Sequence, residues 1–189
     1  MNNQQTKLRA IIICAIFAAL TGILAQVEIP LPLVPISGQT LAVGLTATII
    51  GSRLGAISMI CYTILGAVGL PVFAGFSGGA HILVGPTGGY IFGFIVAAFF
   101  TGIILEKTKF NIPMAMVANT VGMIITLLIG MIQLKYVANL SWNQAFAGGV
   151  TPFIVVGLIK AFLASWIGIV ARKRLVQANL IKNAKKVAA

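Results

Sequence analysis

Six long apolar segments constrain the fold of this chain more than any other feature. They run over residues 8–26, 37–51, 54–70, 85–105, 113–134 and 152–171. Only 8% of the residues are charged, whereas a soluble domain carries roughly 25%. A membrane-spanning helix needs roughly 20 residues, so a chain of 189 residues can supply about six. We therefore predict an all-α integral membrane protein in which residues 1–189 form one domain with six transmembrane helices.

The basic residues indicate how these segments are oriented. Eleven of the thirteen Lys and Arg residues lie at the ends of segments that would share one side of a membrane. They are Lys7, Arg9, Arg53, Lys107, Lys109, Arg172, Lys173, Arg174, Lys182, Lys185 and Lys186. Because cytoplasmic loops are enriched in Lys and Arg, both termini are predicted to be cytoplasmic, and the net charge of +11 is assigned to topology rather than to nucleic acid. Residues 27–38, 71–84 and 135–151 then form ordered extracellular connections.

Lys160 lies inside the sixth segment, in the sequence IVVGLIKAFLASWIG. It follows Pro152 by eight residues, which places it roughly 12 Å from the outer helix end. A charge inside the membrane costs roughly 2.5–3.5 kcal/mol on insertion scales. The lysine could snorkel to the surface, pair with Glu28, or meet an external anion. Glu106, the other carboxylate, belongs to the opposite side, and this scarcity of acids favours an anionic ligand.

Motifs for catalysis and nucleotide binding are missing from the sequence. No G-x-x-x-x-G-K-[ST] motif occurs, and the glycine-rich stretch GGAHILVGPTGGYIFGF over residues 78–94 does not fit it. One histidine and two acids cannot supply a catalytic set, and Cys14 and Cys61 have no metal-ligand spacing. We expect no enzymatic activity, metal or cofactor. Intramembrane acids that could couple transport to ions are also missing, so the chain is predicted to bind a solute and to take its energy from other subunits.

Small residues recur at every fourth position of the fourth segment, at Gly89, Gly93, Ala97 and Thr101. Such a stripe is typical of closely packed membrane helices, and we predict that it packs within the chain. A shorter face with Ala15 and Ala19 lies in the first segment. It is a candidate docking face for another membrane protein.

Four stretches carry a resemblance to a known family. They are LVPISGQTLAV (33–43), GLPVFAGFSGG (69–79), GPTGGYIFGF (85–94) and PFIVVGLIK (152–160). Together they resemble the BioY family, the biotin-specific S components of energy-coupling factor (ECF) transporters, over nearly the whole chain. The resemblance implies a high-affinity biotin-binding subunit in a bacterial cytoplasmic membrane. It also implies two kinds of partner, a transmembrane T component and a pair of ABC-type ATPases.

The resemblance further implies roles for individual residues. Lys160 would meet the biotin carboxylate, and Ala15-x-x-x-Ala19 would be the docking motif for the T component. Family members commonly have aspartate at the position of Gly157, so this chain lacks a partner for the lysine within the helix. Biotin suits an apolar pocket with a few placed polar groups. We expect ureido contacts from Gln39, Thr87, Tyr90, Asn143 and Gln144, and ring contacts from Phe76, Leu83 and Trp142.

Two other functions remain open from the sequence. A stand-alone carrier or channel for a small anionic solute would take up its substrate without ATP or partner proteins, although the missing coupling acids argue against it. A membrane enzyme or scaffold is a further alternative, and it would be revealed by product formation.

Overall fold

The computed structural model describes residues 3–181, so Lys182, Lys185 and Lys186 of the basic tail lie outside the described range. Within that range the chain is mostly helical. The α-helices are α1 (Asn3–Ala25), α2 (Gln39–Ile50), α3 (Ser52–Ala67), α4 (Ala80–Val84), α5 (Gly88–Lys107), α6 (Ile112–Val137), α7 (Trp142–Gly149) and α8 (Thr151–Gln177). Two short strands, β1 (Glu28–Ile29) and β2 (Ile36–Ser37), pair in antiparallel register. One turn of 3₁₀ helix covers Ala74–Phe76.

The helices agree with a multi-pass membrane protein, as predicted. Among the described residues, four apolar stretches are long enough to cross a membrane, in α1, α5, α6 and the α7–α8 region. The second and third predicted segments form α2 and α3, which have 12 and 16 residues. At about 1.5 Å per residue these helices are roughly 18 and 24 Å long, shorter than the roughly 30 Å hydrocarbon core. The count of six spans therefore stays a prediction.

Two short helices were not predicted, and both lie in connections that we had expected to be loops. Helix α4 occupies the end of the second connection. Helix α7 begins with a capping box, in which the Ser141 side chain accepts from the backbone N–H of Gln144 and the Gln144 side chain accepts from the backbone of Ser141. The S-x-x-Q pattern that marks such a helix start is visible in the sequence.

The first and last helices meet at one end of the bundle. Three hydrogen bonds join the elements there. Arg9 Nη2 donates to the backbone oxygen of Asn179 at 2.8 Å, the Ser52 N–H donates to Glu106 Oε1 at 2.8 Å, and the Arg172 guanidinium donates to the backbone oxygen of Ile49. The start of α1, the turn between α2 and α3, and the ends of α5 and α8 are therefore neighbours. The start of α1 and the C-terminal end of α8 thus lie on the same side of the bundle. This arrangement is expected of an even number of membrane crossings.

Helices α5 and α6 approach closely along the small-residue stripe, so the prediction that this stripe packs within the chain is confirmed. A Cβ atom at Gly93 would lie 3.0 Å from the Cα atom of Thr126. A Cβ atom at Gly89 would lie 2.8 Å from the backbone oxygen of Ile129. Since both neighbours are backbone atoms, a side chain at either glycine would force the two helices apart.

Candidate ligand-binding site

A cavity of about 260 Å³ lies among α2, α5, α6 and α8, and it reaches from the connections before α2 and α5 to the middle of the helices. One water needs only roughly 10–15 Å³ of such space, so the cavity can hold a small organic molecule. Its walls are mostly apolar. The few polar residues on them are Ser37, Gln39, Thr40, Ser77, Thr87, Thr101, Asn119, Thr126 and Lys160.

Residues of the first two outer connections form the outer wall of this cavity. Phe73 is only 1% exposed, lines the cavity, and packs edge-on against Tyr62 with ring centroids 5.5 Å apart. Gln26, after the end of α1, holds this segment through its side chain. Its Nε2 donates to the Phe73 oxygen at 3.1 Å, and its Oε1 accepts from the Phe76 N–H at 2.8 Å. The aromatic side chain that this connection places on the cavity wall is thus Phe73, which lies three residues before Phe76, the residue predicted for a ring contact.

Lys160 is half-buried on α8 and lines the cavity. Its ammonium donates to the backbone oxygen of Ser37 at 2.6 Å and to Thr40 Oγ1 at 3.4 Å. Both acceptors are neutral, and an ammonium has three donors, so one N–H remains for a further acceptor. The predicted alternative of an ion pair with Glu28 is not seen in residues 3–181. In the described part of the chain, the cavity therefore has a cation at its edge without a carboxylate partner.

Gln39 also lines the cavity, at the first turn of α2. Its Oε1 accepts from Ser37 Oγ at 2.6 Å, and its Nε2 donates to the Tyr62 hydroxyl at 2.5 Å. The Tyr62 hydroxyl in turn donates to the Val72 oxygen at 3.0 Å. This chain of hydrogen bonds fixes the orientation of the amide and leaves one of its two N–H groups for the cavity.

Tyr90 and Thr87 line the cavity from the start of α5. The Tyr90 hydroxyl donates to the Gly149 oxygen at 2.8 Å, so its hydrogen is used within the protein. The Tyr90 ring lies at 6.1 Å from the ring of Phe153, another cavity residue. The Thr87 hydroxyl makes no hydrogen bond within residues 3–181, so it is the better placed of the two for a polar ligand contact.

The other five predicted contact residues do not line this cavity: Phe76, Leu83, Trp142, Asn143 and Gln144. Phe76 is 71% exposed and Trp142 is 51% exposed. The Lys135 ammonium lies 4.9 Å from the Trp142 ring, which gives this tryptophan a contact away from the cavity. Asn143 is exposed as well.

Gln144 and Leu83 have structural contacts instead. The Gln144 side chain completes the capping box of α7. The backbone oxygen of Leu83 accepts from Gln133 Nε2 at 2.7 Å, and the same nitrogen donates to the Gly85 oxygen at 2.8 Å, which ties the start of α5 to α6. Ligand contacts by all five residues stay predictions, and this geometry does not favour them.

Several cavity residues were not predicted from the sequence, notably Phe94, Asn119, Met123 and Phe153. For the apolar members no local signal distinguishes a cavity wall from a lipid-facing surface. Asn119 did carry a signal, because an amide inside an apolar segment must find hydrogen-bond partners. Gly157 lines the cavity too, and a Cβ atom there would contact the Met123 side chain.

The predicted docking face on α1 points away from the rest of the chain. Ala15 and Ala19 are exposed, whereas Cys14 and Ala18 are 3% and 2% exposed and face the bundle. The alanine face is thus free for lipid or for another protein, and docking there stays a prediction.

Comparison with known proteins places this arrangement in a family. Residues 1–177 match the model of the BioY family. The biotin transporter BioY2 of Lactococcus lactis is 36% identical over 176 residues, which cover 93% of this chain and 97% of that protein. The biotin transporter BioY of Thermotoga maritima is 39% identical over 166 residues, which cover 88% of this chain and 97% of that protein.

A solved structure gives the same result for the fold. The S-component for biotin from an ECF-type ABC transporter matches with a TM-score of 0.82 and 30% sequence identity. The match covers 92% of this chain and 95% of that one. Since both sequence and structure agree over nearly the full length, the chain belongs to the BioY family.

Proposed function

We propose that this chain binds biotin and takes part in its uptake as the substrate-binding membrane subunit of an ECF-type transporter. The observation that carries the proposal is the apolar cavity of about 260 Å³ with the Lys160 ammonium at its edge. The relatives in Lactococcus lactis and Thermotoga maritima are biotin transporters, and the similar solved structure is an S-component for biotin.

The chemistry of biotin fits the groups that surround the cavity. Its carboxylate would accept from the remaining N–H of Lys160, a charge-assisted bond of the stronger kind. Its rings would lie against aromatic walls that include Phe73 and Phe94. The free hydroxyl of Thr87 and the remaining N–H of Gln39 are available to the ureido group.

The membrane arrangement follows from the same proposal. The chain would cross a bacterial cytoplasmic membrane six times, with α2 and α3 as short spans and both termini in the cytoplasm. The cavity would then open toward the outside. Support comes from the distribution of Lys and Arg and from the contact of Arg9 with Asn179, which brings the first and last helices to one end.

Energy for uptake would come from partner proteins, namely a T component and paired ABC-type ATPases. The sequence contains no P-loop motif, and the chain would act as a transporter subunit rather than as an enzyme, with biotin as its ligand and no cofactor. The exposed face with Ala15 and Ala19 is the candidate docking surface for the T component.

The proposal is tested by measuring biotin binding to the purified chain and uptake into vesicles. We expect biotin to co-purify with the chain and to be seen by native mass spectrometry in a one-to-one complex. Vesicles with this chain alone are expected to show no ATP-driven uptake until the T component and ATPases are added. Uptake of small anions by the chain alone, without biotin binding, would favour the stand-alone carrier instead.

A further inference from the structure

Asn119 lies on α6 at the inner end of the cavity and is only 5% exposed. Its amide nitrogen Nδ2 makes contacts with three helices. Three acceptors lie within hydrogen-bond distance of it, namely the Ala115 backbone oxygen at 3.0 Å, Thr48 Oγ1 at 3.1 Å and Ser165 Oγ at 3.0 Å, and its two N–H bonds are shared among them. The amide thus joins α2, α6 and α8 below the ligand cavity.

These contacts determine which way the amide points. The Ala115 oxygen can only accept a hydrogen bond, and the Ser165 hydroxyl already donates to the Ala161 oxygen at 2.6 Å. Both groups therefore require the N–H₂ side of Asn119 to face them. The opposite side of the amide, the oxygen Oδ1, must point elsewhere.

The Oδ1 atom of Asn119 faces Gly44, another residue of the cavity wall. A Cβ atom at Gly44 would lie only 2.6 Å from Oδ1, so the missing side chain leaves this oxygen uncovered. Within residues 3–181 it accepts no hydrogen bond. The oxygen is therefore open to the cavity rather than sealed inside the protein. A ligand that fills the cavity excludes water from this oxygen, and an acceptor then left without a donor costs free energy, so the site favours a ligand with a donor at this position.

Asn119 and Lys160 lie at different depths. Ser165, a partner of Asn119, follows Lys160 by five residues in α8, and Thr48 follows Thr40 by eight residues in α2. These separations correspond to roughly 7.5 Å and 12 Å along the helix axes. Among the residues that the structure describes, the cavity therefore has a cation toward its outer end and a hydrogen-bond acceptor without a donor at its inner end.

We propose that Asn119 is a specificity-determining residue whose Oδ1 accepts a hydrogen bond from an N–H group of the ligand. The matching ligand class is a small carboxylate that carries an N–H donor at the end remote from the carboxylate. This inference rests on the proposed function, and for biotin the donor is one of the two ureido N–H groups. A ligand without that N–H leaves the buried oxygen unpaired and binds more weakly.

The test compares biotin with its two isomers that carry a methyl group on one ureido nitrogen, by equilibrium binding to the purified full chain. In the parent, at least one isomer is expected to bind about 10-fold or more weakly than biotin, which is the size of a lost buried hydrogen bond. Asn119→Ala is expected to weaken biotin binding by about 10-fold and to reduce the discrimination between biotin and that isomer to about threefold or less. Such coupling between a residue and a ligand group is what a double-mutant cycle measures.

Two controls separate recognition from stability. Thr46→Val removes another buried hydroxyl of α2, which donates to the Ala42 oxygen and lies outside the cavity wall, and it should leave the discrimination unchanged. Biotin amide, which lacks the carboxylate charge, should bind more weakly than biotin by the same factor in the parent and in Asn119→Ala, because the carboxylate contacts Lys160 and not Asn119.

Three outcomes would overturn the inference. If both methylated isomers bind the parent as tightly as biotin, Asn119 Oδ1 accepts no hydrogen bond from a ureido N–H. This result does not depend on the folding of any variant. If Asn119→Ala keeps the parent's discrimination, the oxygen is not the acceptor. If the parent fails to bind biotin, the proposed function fails together with this inference, whereas the first two outcomes leave the proposed function intact.

Discussion

The Nζ atom of Lys160 lies 2.6 Å from the backbone oxygen of Ser37, which joins the middle of α8 to the residues just before α2. The contact holds a half-buried ammonium at the cavity edge, where its acceptors among the described residues are all neutral. Neutral acceptors offset part of the desolvation of a charge but leave the charge itself uncompensated. An anionic ligand would supply the missing charge.

Replacing Lys160 by methionine should weaken biotin binding by about 10- to 100-fold, because it removes a charge-assisted hydrogen bond. Methionine is chosen because its unbranched side chain is of similar length. Isothermal titration calorimetry of the purified variant measures the loss. Lys109→Met, an exposed lysine that follows α5 at the opposite end, is the matched control and should bind as the parent does. Equal affinities for Lys160→Met and the parent would contradict the assigned carboxylate contact.

Glu28→Gln should change biotin affinity by less than about threefold. Glu28 lies opposite Ser37 in the β1–β2 pair, but Lys160 contacts Ser37 and Thr40 rather than this carboxylate. The Oε2 atom of Glu28 is buried without a hydrogen-bond partner in residues 3–181, so removing its charge should not lower the melting temperature. A loss of affinity above about 10-fold would instead indicate that Glu28 acts on Lys160.

Gly157→Ala should weaken biotin binding about 10-fold, because a Cβ atom at this position would approach Met123 Cγ to 3.1 Å and displace that side chain. Overpacking of this kind costs roughly 1–3 kcal/mol. Met123→Ala in the same chain should recover most of the affinity by restoring space. Binding measurements on both single variants and on the double variant form a double-mutant cycle. Strictly additive changes in binding free energy would show that the side chains at positions 157 and 123 do not compete for the same space.

Gly93→Leu should destabilise the bundle, since the new side chain would meet the backbone of Thr126 and separate α5 from α6. We expect a cost of about 1–3 kcal/mol or more, measured as a lower melting temperature in detergent. Phe92→Leu changes the neighbouring residue, which is 43% exposed, and should have little effect. If both variants melt at the parent's temperature, the close approach of the two helices is not important for stability.

The long helices could be predicted from sequence because twenty or more apolar residues have few alternatives to spanning a membrane. The predicted segments 85–105 and 113–134 correspond to α5 (Gly88–Lys107) and α6 (Ile112–Val137), with end shifts of one to three residues. The small-residue stripe of α5 could also be predicted, because its four-residue spacing places the residues on one helix face.

The composition of the cavity wall was harder to predict, because it depends on which loop residues turn inward. Phe73 and Phe76 lie three residues apart in one outer connection, yet Phe73 is buried under Tyr62 and Phe76 is exposed. Nothing local distinguishes them. The hydrogen bonds of Gln26 to both residues, which fix the loop, come from a distant part of the chain.

Some polar residues predicted to contact the ligand have hydrogen-bond partners within the protein that the sequence did not reveal. The Tyr90 hydroxyl is used by Gly149, 59 residues away. The structural role of Gln144 was visible in the sequence, because its capping box with Ser141 is a local pattern. Lys160 was the strongest prediction because an intramembrane charge demands an explanation whatever the fold.

Biotin binding by the purified chain in lipid nanodiscs, without any partner protein, tests the central claim most directly. Equilibrium titration is predicted to give one-to-one saturable binding that Lys160→Met weakens and that excess of an unrelated small carboxylate does not displace. Absence of biotin binding up to millimolar concentration, with the chain folded by circular dichroism, would contradict the account.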